Sequence, residues 1–131
     1  MNDKYVTITG FNNYYGKRPF RIGGILLCEK QPENRFDSEA IACVKPYVGL
    51  VGYVANSPET VADGTMSAGR VYDKVDRKFY VRVLFATKSK VICCVMDDPA
   101  EAEAELFEQE ERIPEEPLED DTASDFTELE F

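Results

Sequence analysis

The segment that most constrains the fold is the apolar stretch from residue 78 to residue 96. It reads KFYVRVLFATKSKVICCVM, and its alternation of apolar and polar side chains and its many β-branched residues are typical of β-strands. The alternation predicts that Val81, Val83 and Phe85 share one face of a strand. The polar residues ATKSK interrupt the stretch, which is therefore predicted to form the two strands of a hairpin.

Four shorter apolar segments and one weaker segment precede this hairpin. The four are KYVTITG, FRIGGILLCEK, EAIACVK and GLVGYVA, and the weaker one is RVYDKV. Gly23 and Gly24 in the second segment suit a bend in a curling sheet. Strands this short in a chain of 131 residues hide their edges best by closing on themselves. The sequence predicts a mainly β fold, a small six-stranded β-barrel with one or two short helices.

Two segments carry helix signals. NSPETVADG offers Ser57 as a cap, Pro58 at the first helical position and Gly64 at the exit, which predicts a short helix or helical turn. A second helix is predicted to begin at Asp98, because that carboxylate can cap a helix and Pro99 fits its first position.

The chain is predicted to have three parts. A β-barrel covers residues 1–96, and an acidic helix covers residues 97–113 and ends before Pro114. The acidic segment of residues 114–131 is nearly free of large apolar side chains over most of its length and is predicted to be disordered.

The net charge of −10 is unevenly distributed. Residues 1–96 carry 14 Lys and Arg against 9 Asp and Glu, whereas residues 97–131 carry 1 Arg against 16 Asp and Glu. A basic body joined to an acidic tail indicates either a polyanionic partner for the body or association of the body with its own tail. A soluble domain with a solvating tail is the alternative that the charge leaves open.

The chain contains four cysteines and no histidine. Three cysteines lie in apolar segments and no C-x-x-C motif occurs, which predicts buried, reduced thiols. Neighbouring strand residues face opposite ways, so Cys93 and Cys94 are not expected to share a metal ion, and no cofactor is expected. The sequence lacks an apolar run of the ~20 residues that a membrane helix needs, as well as a signal peptide, and this predicts a cytoplasmic protein with no membrane partner.

An enzymatic function is not expected. The chain has no histidine for acid–base chemistry, no glycine-rich phosphate loop followed by Lys-Ser/Thr, and no nucleophile elbow. Its carboxylate pairs are concentrated in the tail, which is not expected to hold the fixed geometry that metal-assisted catalysis needs.

Three motifs, in this order, carry a resemblance to a known family: ITGFNNYYG, EKQPENRFDSEAIACV and VGYVANSPETVA. Together they resemble the HIRAN domain over about residues 5–96, and the chain looks most like the small, free-standing bacterial members. The most specific part is the pattern Pro-x-Asn-x-aromatic-Asp-x-x-Ala-Ile, which runs from Pro32 to Ile41.

The resemblance implies an OB-like or SH3-like β-barrel that binds nucleic acid. In helicase-fused members the domain captures the 3′ end of single-stranded DNA with stacking rings, a sugar-binding Asn and Asp, and basic residues on the phosphates. By position, Asn34 and Asp37 are the expected sugar-facing pair, and Phe36 is the stacking ring. The full set of residues expected to bind nucleic acid is Tyr14, Tyr15, Lys17, Arg18, Lys30, Asn34, Arg35, Phe36, Asp37, Tyr53 and Asn56.

Each of these assignments has a structural alternative. A carboxylate repels phosphates but suits a free sugar hydroxyl, so Asp37 is consistent with a reader of strand ends. Equally, Asp37 and Asn34 can cap the turn in which they lie. Phe36 can plug the mouth of the barrel, and Tyr53 can belong to the core.

Two basic residues of the family pattern are missing. The run before Gly16 reads NNYY, where helicase-fused members have Arg-Tyr-Tyr, and Asn56 replaces a lysine. Arg35 stands where the family has proline and restores one positive charge. The loss of two phosphate contacts predicts weaker binding with a flatter salt dependence. If Tyr14 and Tyr15 lie in a strand, one of the two rings must be exposed.

The acidic tail suggests two roles. A tethered acidic segment reaches mM effective concentrations and can compete with nucleic acid for a basic groove. Its last residues, DFTELEF, resemble in character the acidic tip with which bacterial single-stranded-DNA-binding proteins recruit partners, so a DNA-repair or replication protein is a possible partner. A frayed end without function is the alternative.

The residues therefore predict a non-enzymatic module that binds nucleic acid, with single-stranded DNA ends as its ligand. They leave open a second hypothesis, a protein-interaction adaptor that binds a partner protein through a barrel pocket or through the acidic tail.

Overall fold

The structure, a computed structural model, describes residues 3–112. The apolar segments predicted as strands form strands, apart from RVYDKV, and the predicted mainly β fold is confirmed. The six strands are β1 (Tyr5–Thr9), β2 (Ile25–Lys30), β3 (Ile41–Lys45), β4 (Gly49–Val54), β5 (Lys78–Ala86) and β6 (Val91–Val95).

The six strands close into an antiparallel barrel in the order β1-β4-β3-β2-β5-β6. Strand β1 closes it, because β1 pairs with β6 along most of its length and with β4 through Ile8–Val54 and Thr9–Tyr53. The predicted six-stranded barrel is confirmed, and so is the hairpin of β5 and β6.

The alternation predicted for β5 is wrong at Phe85. The prediction places Phe85 on the face of Val81 and Val83, but its ring is half exposed whereas those two valines are buried. The register of the β5–β6 pairing shifts between Val83 and Phe85. A bulge of this kind turns the side chains that follow it toward the other face of the sheet.

The barrel interior also anchors the loop that follows β1. Phe11 and Phe20 lie near the two ends of this loop and are buried in the core cluster. Their rings pack edge to face, with centroids 5.6 Å apart. The loop between them carries Tyr14 and Tyr15. Because its two ends are held by the core, the position of both tyrosines is set by the barrel.

Three of the cysteines lie in the core. Cys28 lies directly opposite Cys43 on the neighbouring strand, and both are buried, as is Cys93. The hydrogen bond with Cys28 and burial raise the pKa of the Cys43 thiol, and burial raises the pKa of Cys93. The prediction of buried free thiols is confirmed for these three, whereas Cys94 is only partly buried.

Residues 57–64 form a helical turn, one of the two forms predicted for them. The N–H groups of Thr60 and Val61 both donate to the carbonyl of Ser57, each at 3.0 Å. Gly64 follows with a φ of +88°, a left-handed conformation that glycine adopts without strain.

The prediction of a weak strand in RVYDKV is wrong. Its first five residues belong to the short helix α1 (Ala68–Val71) and to the 3₁₀ turn Tyr72–Lys74 that continues it, and Val75 is extended. The hydroxyl of Ser67 caps α1 by accepting the N–H of Arg70 at 3.2 Å. The Ser67 cap starts a helix at Ala68 that runs into the segment, and the weak alternation of the segment does not overcome it.

The acidic helix α2 (Pro99–Arg112) begins where it is predicted to begin. Oδ1 of Asp98 accepts the N–H groups of Ala100 and Glu101 at 3.1 Å and 3.2 Å. The predicted disorder of residues 114–131 and the predicted roles of their acidic end lie outside the described residues.

Helix α2 lies against β2 and β5. Arg82 forms a two-pronged ion pair with Glu105, with nitrogen–oxygen distances of 2.7 Å and 2.8 Å. Gln109 accepts the N–H of Ile25 at 3.0 Å and donates to the carbonyl of Gly23 at 3.1 Å. The helix therefore supplies hydrogen-bond partners for backbone groups at the start of β2, and it neutralises the charge of Arg82 on β5.

The same helix buries an apolar stripe. Ala102 and Leu106 are buried against the barrel. Beside them, Nζ of Lys45 lies 3.4 Å from Oε2 of Glu110, which forms an ion pair between β3 and the helix. The acidic helix and the basic barrel thus associate, which is one of the interpretations that the charge distribution left open.

Among residues 3–112, no group of three or more cysteine, aspartate and glutamate side chains is arranged to hold a metal ion. None of the helices in this range has the length and apolar character needed to span a bilayer.

Replacing Leu106 with alanine is expected to lower the free energy of unfolding by about 2 kcal/mol, because a buried leucine is lost from the contact between α2 and the barrel. The neighbouring Phe107 is half exposed, so Phe107→Ala is the matched control and is expected to cost less than about 0.5 kcal/mol. Urea unfolding followed by circular dichroism measures both. Equal losses would contradict the packing described.

Candidate nucleic-acid interface

An open hollow of about 630 Å³ lies where the turn of residues 31–40 meets the end of β4. We call it the turn hollow. Residues predicted to bind nucleic acid form half of its lining, and they are Tyr14, Asn34, Phe36, Asp37, Tyr53 and Asn56. The other lining residues are Thr9, Ala40, Val54, Ala55, Ser57 and Thr60.

Asn34 holds the shape of this turn. Its Oδ1 accepts the N–H groups of Phe36 and Asp37 at 2.9 Å and 3.1 Å, and its Nδ2 donates to Oε1 of Gln31 at 3.1 Å. This is the Asx-turn that the sequence offered as the structural alternative. Asn34 therefore positions the two residues that follow it.

The ring of Phe36 is 95% exposed. The alternative in which it plugs the mouth of the barrel is therefore wrong. Because the Asn34 side chain holds the Phe36 N–H, the backbone is held at the rim of the turn hollow and the ring faces solvent there. A flat apolar face in this position makes no contribution to the core and is free to stack on a planar ligand.

Asp37 serves the turn and also faces the hollow. Its Oδ1 accepts the N–H of Glu39 at 2.9 Å, which caps the turn, and its Oδ2 accepts from Nδ2 of Asn56 at 3.2 Å. A carboxylate has about four lone-pair positions, so acceptor capacity remains for a ligand hydroxyl. The capping alternative is confirmed, and it is compatible with binding.

Asn56 links the hollow to helix α1. Its Oδ1 accepts the N–H of Gly69 at 2.9 Å, and its Nδ2 also lies 3.3 Å from Oε1 of Glu39. A Cβ at Gly69 would lie 2.6 Å from that same oxygen of Glu39, so any other residue here would push the exposed Glu39 carboxylate aside. No local pattern marks Gly69, because its partners are far from it along the chain.

Gln31 was also missed. Its Oε1 accepts the hydroxyl of Tyr53 at 3.1 Å as well as the amide of Asn34, and it thereby joins the end of β4 to the turn. Tyr53 is half-buried, lining the hollow with part of its ring while its hydroxyl is held in this network. No local pattern marks Gln31, since the Tyr53 contact spans 22 residues.

Tyr14 and Tyr15 follow the 3₁₀ turn Phe11–Asn13 and lie in no strand. Both rings are exposed, by 41% and 54%, because no sheet face covers either of them. Tyr14 lines the turn hollow. Tyr15 lines a second, neighbouring hollow, which we call the hairpin hollow and which is formed by Tyr15, Arg18, Pro19, Lys45, Tyr47 and Val48.

The two predicted lysines lie outside the turn hollow and are engaged elsewhere. Lys30 Nζ donates to the carbonyl of Val75 at 2.8 Å and lies 4.5 Å from the centre of the Tyr72 ring. Lys17 Nζ donates to the carbonyl of Thr87 at 3.1 Å. Their predicted role as phosphate contacts would need these bonds to be shared or broken.

The two predicted arginines are exposed. Arg18 lines the hairpin hollow, and Arg35 precedes Phe36 in the turn. Among the described side chains, which end at residue 110, neither guanidinium takes part in an ion pair. Both are therefore available to an anionic ligand.

The lining of the turn hollow defines the ligands that it can take. Three aromatic residues, Tyr14, Phe36 and Tyr53, surround it, and Asp37 is the one charged side chain among its described lining residues. Such a site can stack a planar ring system and accept a hydrogen bond from a hydroxyl, while it disfavours a phosphate.

Comparisons with known proteins bear on the fold alone. No protein-family model and no curated protein sequence matches the chain. A crystal structure of a protein from Lactobacillus plantarum matches with a TM-score of 0.50 and 19% identity, over 72% of this chain and 95% of that one. The crystal structure of the HIRAN domain of human HLTF matches with a TM-score of 0.48 and 15% identity, over 85% of this chain and 88% of that one.

These two likenesses differ in weight. At 19% identity the first indicates a similar fold and says nothing about a ligand. The second is too distant in structure to support an argument about either fold or ligand.

Replacing Asn34 with alanine is expected to lower the free energy of unfolding by about 1 kcal/mol, because two backbone N–H groups lose their acceptor. Asn34→Asp keeps the acceptor oxygen and is expected to retain most of that stability. Urea unfolding of the two variants measures the difference. Identical stabilities for alanine and aspartate at this position would show that the Asx-turn does not hold the turn together.

Proposed function

We propose that this protein binds single-stranded nucleic acid without catalysing a reaction, and that its ligand is the 3′ end of single-stranded DNA. The observation that carries the proposal is the exposed ring of Phe36 beside the carboxylate of Asp37 in an open hollow. The terminal base stacks on Phe36, the terminal sugar hydroxyl donates to Asp37, and the strand leaves the hollow past Tyr14.

The charge of the hollow supports recognition of an end over recognition of an internal nucleotide. An internal nucleotide would bring phosphates on both sides toward Asp37, whereas a terminal nucleotide brings one phosphate and a free hydroxyl. Glu39, which lies next to Asn56, adds a second carboxylate on this side. Arg35 is the exposed cation of the same turn and is the expected partner of the one phosphate.

The resemblance of the sequence to the HIRAN domain gives independent support. Asn34, Phe36, Asp37 and Tyr53 are the residues that the resemblance marks, and all four line the same hollow although they come from the turn and from β4. Closure of the barrel brings Tyr53 of β4 beside the three residues of the turn.

Fluorescence anisotropy with 5′-labelled single strands tests this proposal. We expect a strand that ends in a 3′-hydroxyl to bind more tightly than the same strand with a 3′-phosphate, because the phosphate removes the donor and adds charge beside Asp37. Phe36→Ala is expected to weaken binding roughly tenfold through the loss of stacking. Asp37→Asn is expected to reduce the preference for the hydroxyl.

Phe85→Ala is the matched control, since it removes an exposed ring that lines neither hollow. It should leave the affinity unchanged. Equal binding of the two strand ends by the wild-type protein would contradict end recognition. Equal losses for Phe36→Ala and Phe85→Ala would contradict stacking on Phe36.

A second candidate function is that of a protein-interaction adaptor. A hollow of about 650 Å³ lies between α2 and the β3–β4 hairpin, and its lining is mostly apolar, including Leu106, Phe107 and Tyr47. Such a lining suits an apolar side chain of a partner protein better than a polyanion. Failure of the wild-type protein to bind any single strand would favour this candidate.

We further propose that the acidic residues beyond α2 compete with nucleic acid for the barrel. Residues 113–131 carry 8 acidic and no basic side chains. A chain that ends at Arg112 is expected to bind single strands more tightly at 50 mM salt, and the gain should disappear at about 0.5 M salt, where charges are screened over a few ångströms. Anisotropy at the two salt concentrations measures this. Unchanged affinity at low salt would exclude the competition.

A further inference from the structure

Tyr47 combines two properties that packing does not explain. Its side chain is 94% exposed, and its φ of +67° makes it the one non-glycine residue with a positive φ among residues 3–112. It follows Pro46 in the tight turn between β3 and β4, which is closed by the bond from the Val48 N–H to the Lys45 carbonyl at 3.1 Å. Glycine or asparagine is the usual residue in that position of such a turn.

The ring of Tyr47 therefore costs backbone strain and contributes no burial to the barrel. A strained residue with a bulky, exposed side chain is a reason to look for a ligand beside it. Its surroundings must then indicate which ligand.

The hairpin hollow is one of the two hollows that Tyr47 lines, with a volume of about 490 Å³. It contains two exposed rings, Tyr15 and Tyr47, and two cations, Arg18 and Lys45. Lys45 forms an ion pair with Glu110, whereas the Arg18 guanidinium takes part in no ion pair among the described side chains. Stacking rings combined with cations are what a groove for single-stranded nucleic acid contains.

The hollow on the other side of Tyr47 is unsuited to that ligand. It is lined by Leu106 and Phe107 of α2, by Glu103 and by Lys45. The Glu103 carboxylate offsets the charge of Lys45 there, and Lys45 is also paired with Glu110. A polyanion is therefore directed to the Arg18 side of Tyr47.

The turn hollow and the hairpin hollow are lined by consecutive residues of one loop. Tyr14 lines one and Tyr15 the other, and neighbouring Cα atoms are about 3.8 Å apart. The hydroxyl of Tyr15 also donates to the carbonyl of Val48 at 3.4 Å, which places the loop against the hairpin. A strand that leaves the turn hollow past Tyr14 would next meet the ring of Tyr15 and, in the same hollow, that of Tyr47.

We propose that the hairpin hollow is a second stacking subsite, which holds nucleotides of the single strand upstream of the end bound in the turn hollow. Tyr47 supplies the stacking face, and Arg18 contacts the backbone phosphate. This proposal rests on the function proposed above. It adds that full affinity requires a strand long enough to reach from the turn hollow to the hairpin hollow.

The test compares a 4-mer and a 12-mer of deoxythymidine, both with free 3′-hydroxyls, by anisotropy or NMR titration. The wild-type protein is expected to gain affinity when the strand is lengthened. Tyr47→Asn keeps a turn-compatible residue but removes the ring, and it should cut that gain about fivefold or more. Tyr47→Phe keeps the ring and should retain the gain, and Phe85→Asn is the control at an exposed ring outside both hollows.

Thermal unfolding separates binding from folding. Because asparagine tolerates a positive φ better than tyrosine does, the Tm of Tyr47→Asn should equal or exceed that of the wild-type protein. A lower gain in affinity together with an unreduced Tm supports the subsite. An unchanged gain, or a loss accompanied by a lower Tm, overturns it.

The same data distinguish this proposal from the function on which it rests. Binding that depends on Phe36 but is insensitive to Tyr47 at both lengths refutes the second subsite alone. Absence of binding to either strand by the wild-type protein refutes both proposals and leaves Tyr47 to the protein-partner alternative.

Discussion

The close approach of β1 and β4 at Gly52 is the constraint on which the rest of the structure depends. A Cβ at Gly52 would lie 2.8 Å from Cγ2 of Ile8 and 3.0 Å from the carbonyl oxygen of Thr9. Only a residue without a side chain allows this seam to close, and the seam is short, with two residue pairs. Closure places Thr9 and Tyr53 side by side, and both line the turn hollow.

The turn of residues 31–40 shows that structural and functional explanations of the same residue need not compete. Asn34 and Asp37 use their oxygens to hold backbone N–H groups, and in doing so they fix Phe36 at the rim and leave acceptor capacity on the carboxylate. Because the backbone that carries the ring and the acid is held before a ligand arrives, less backbone conformational entropy is lost when it binds. The polar residues of the turn therefore stabilise the fold and prepare the site together.

Charge is separated over the surface in a way that leaves the turn hollow open. The acidic helix α2 is held on the outside of β2 and β5 by Arg82, Gln109 and Lys45. No described residue of α2 lines the turn hollow or the hairpin hollow. The helix neutralises part of the basic barrel and covers its apolar surface, while Arg18 and Arg35 stay exposed on other parts of the molecule.

The sequence by itself determined the strands, the β5–β6 hairpin, the cap of α2 and half of the lining of the turn hollow, because alternation, capping residues and a compact motif are local signals. Tertiary structure alone decided that Phe85 turns outward at a bulge, that Gln31 joins Tyr53 to Asn34, and that Tyr47 lines the same hollow as Tyr15. Each of these depends on segments distant along the chain, whose proximity arises only when the barrel closes. Local patterns contain no information about which distant segments will meet.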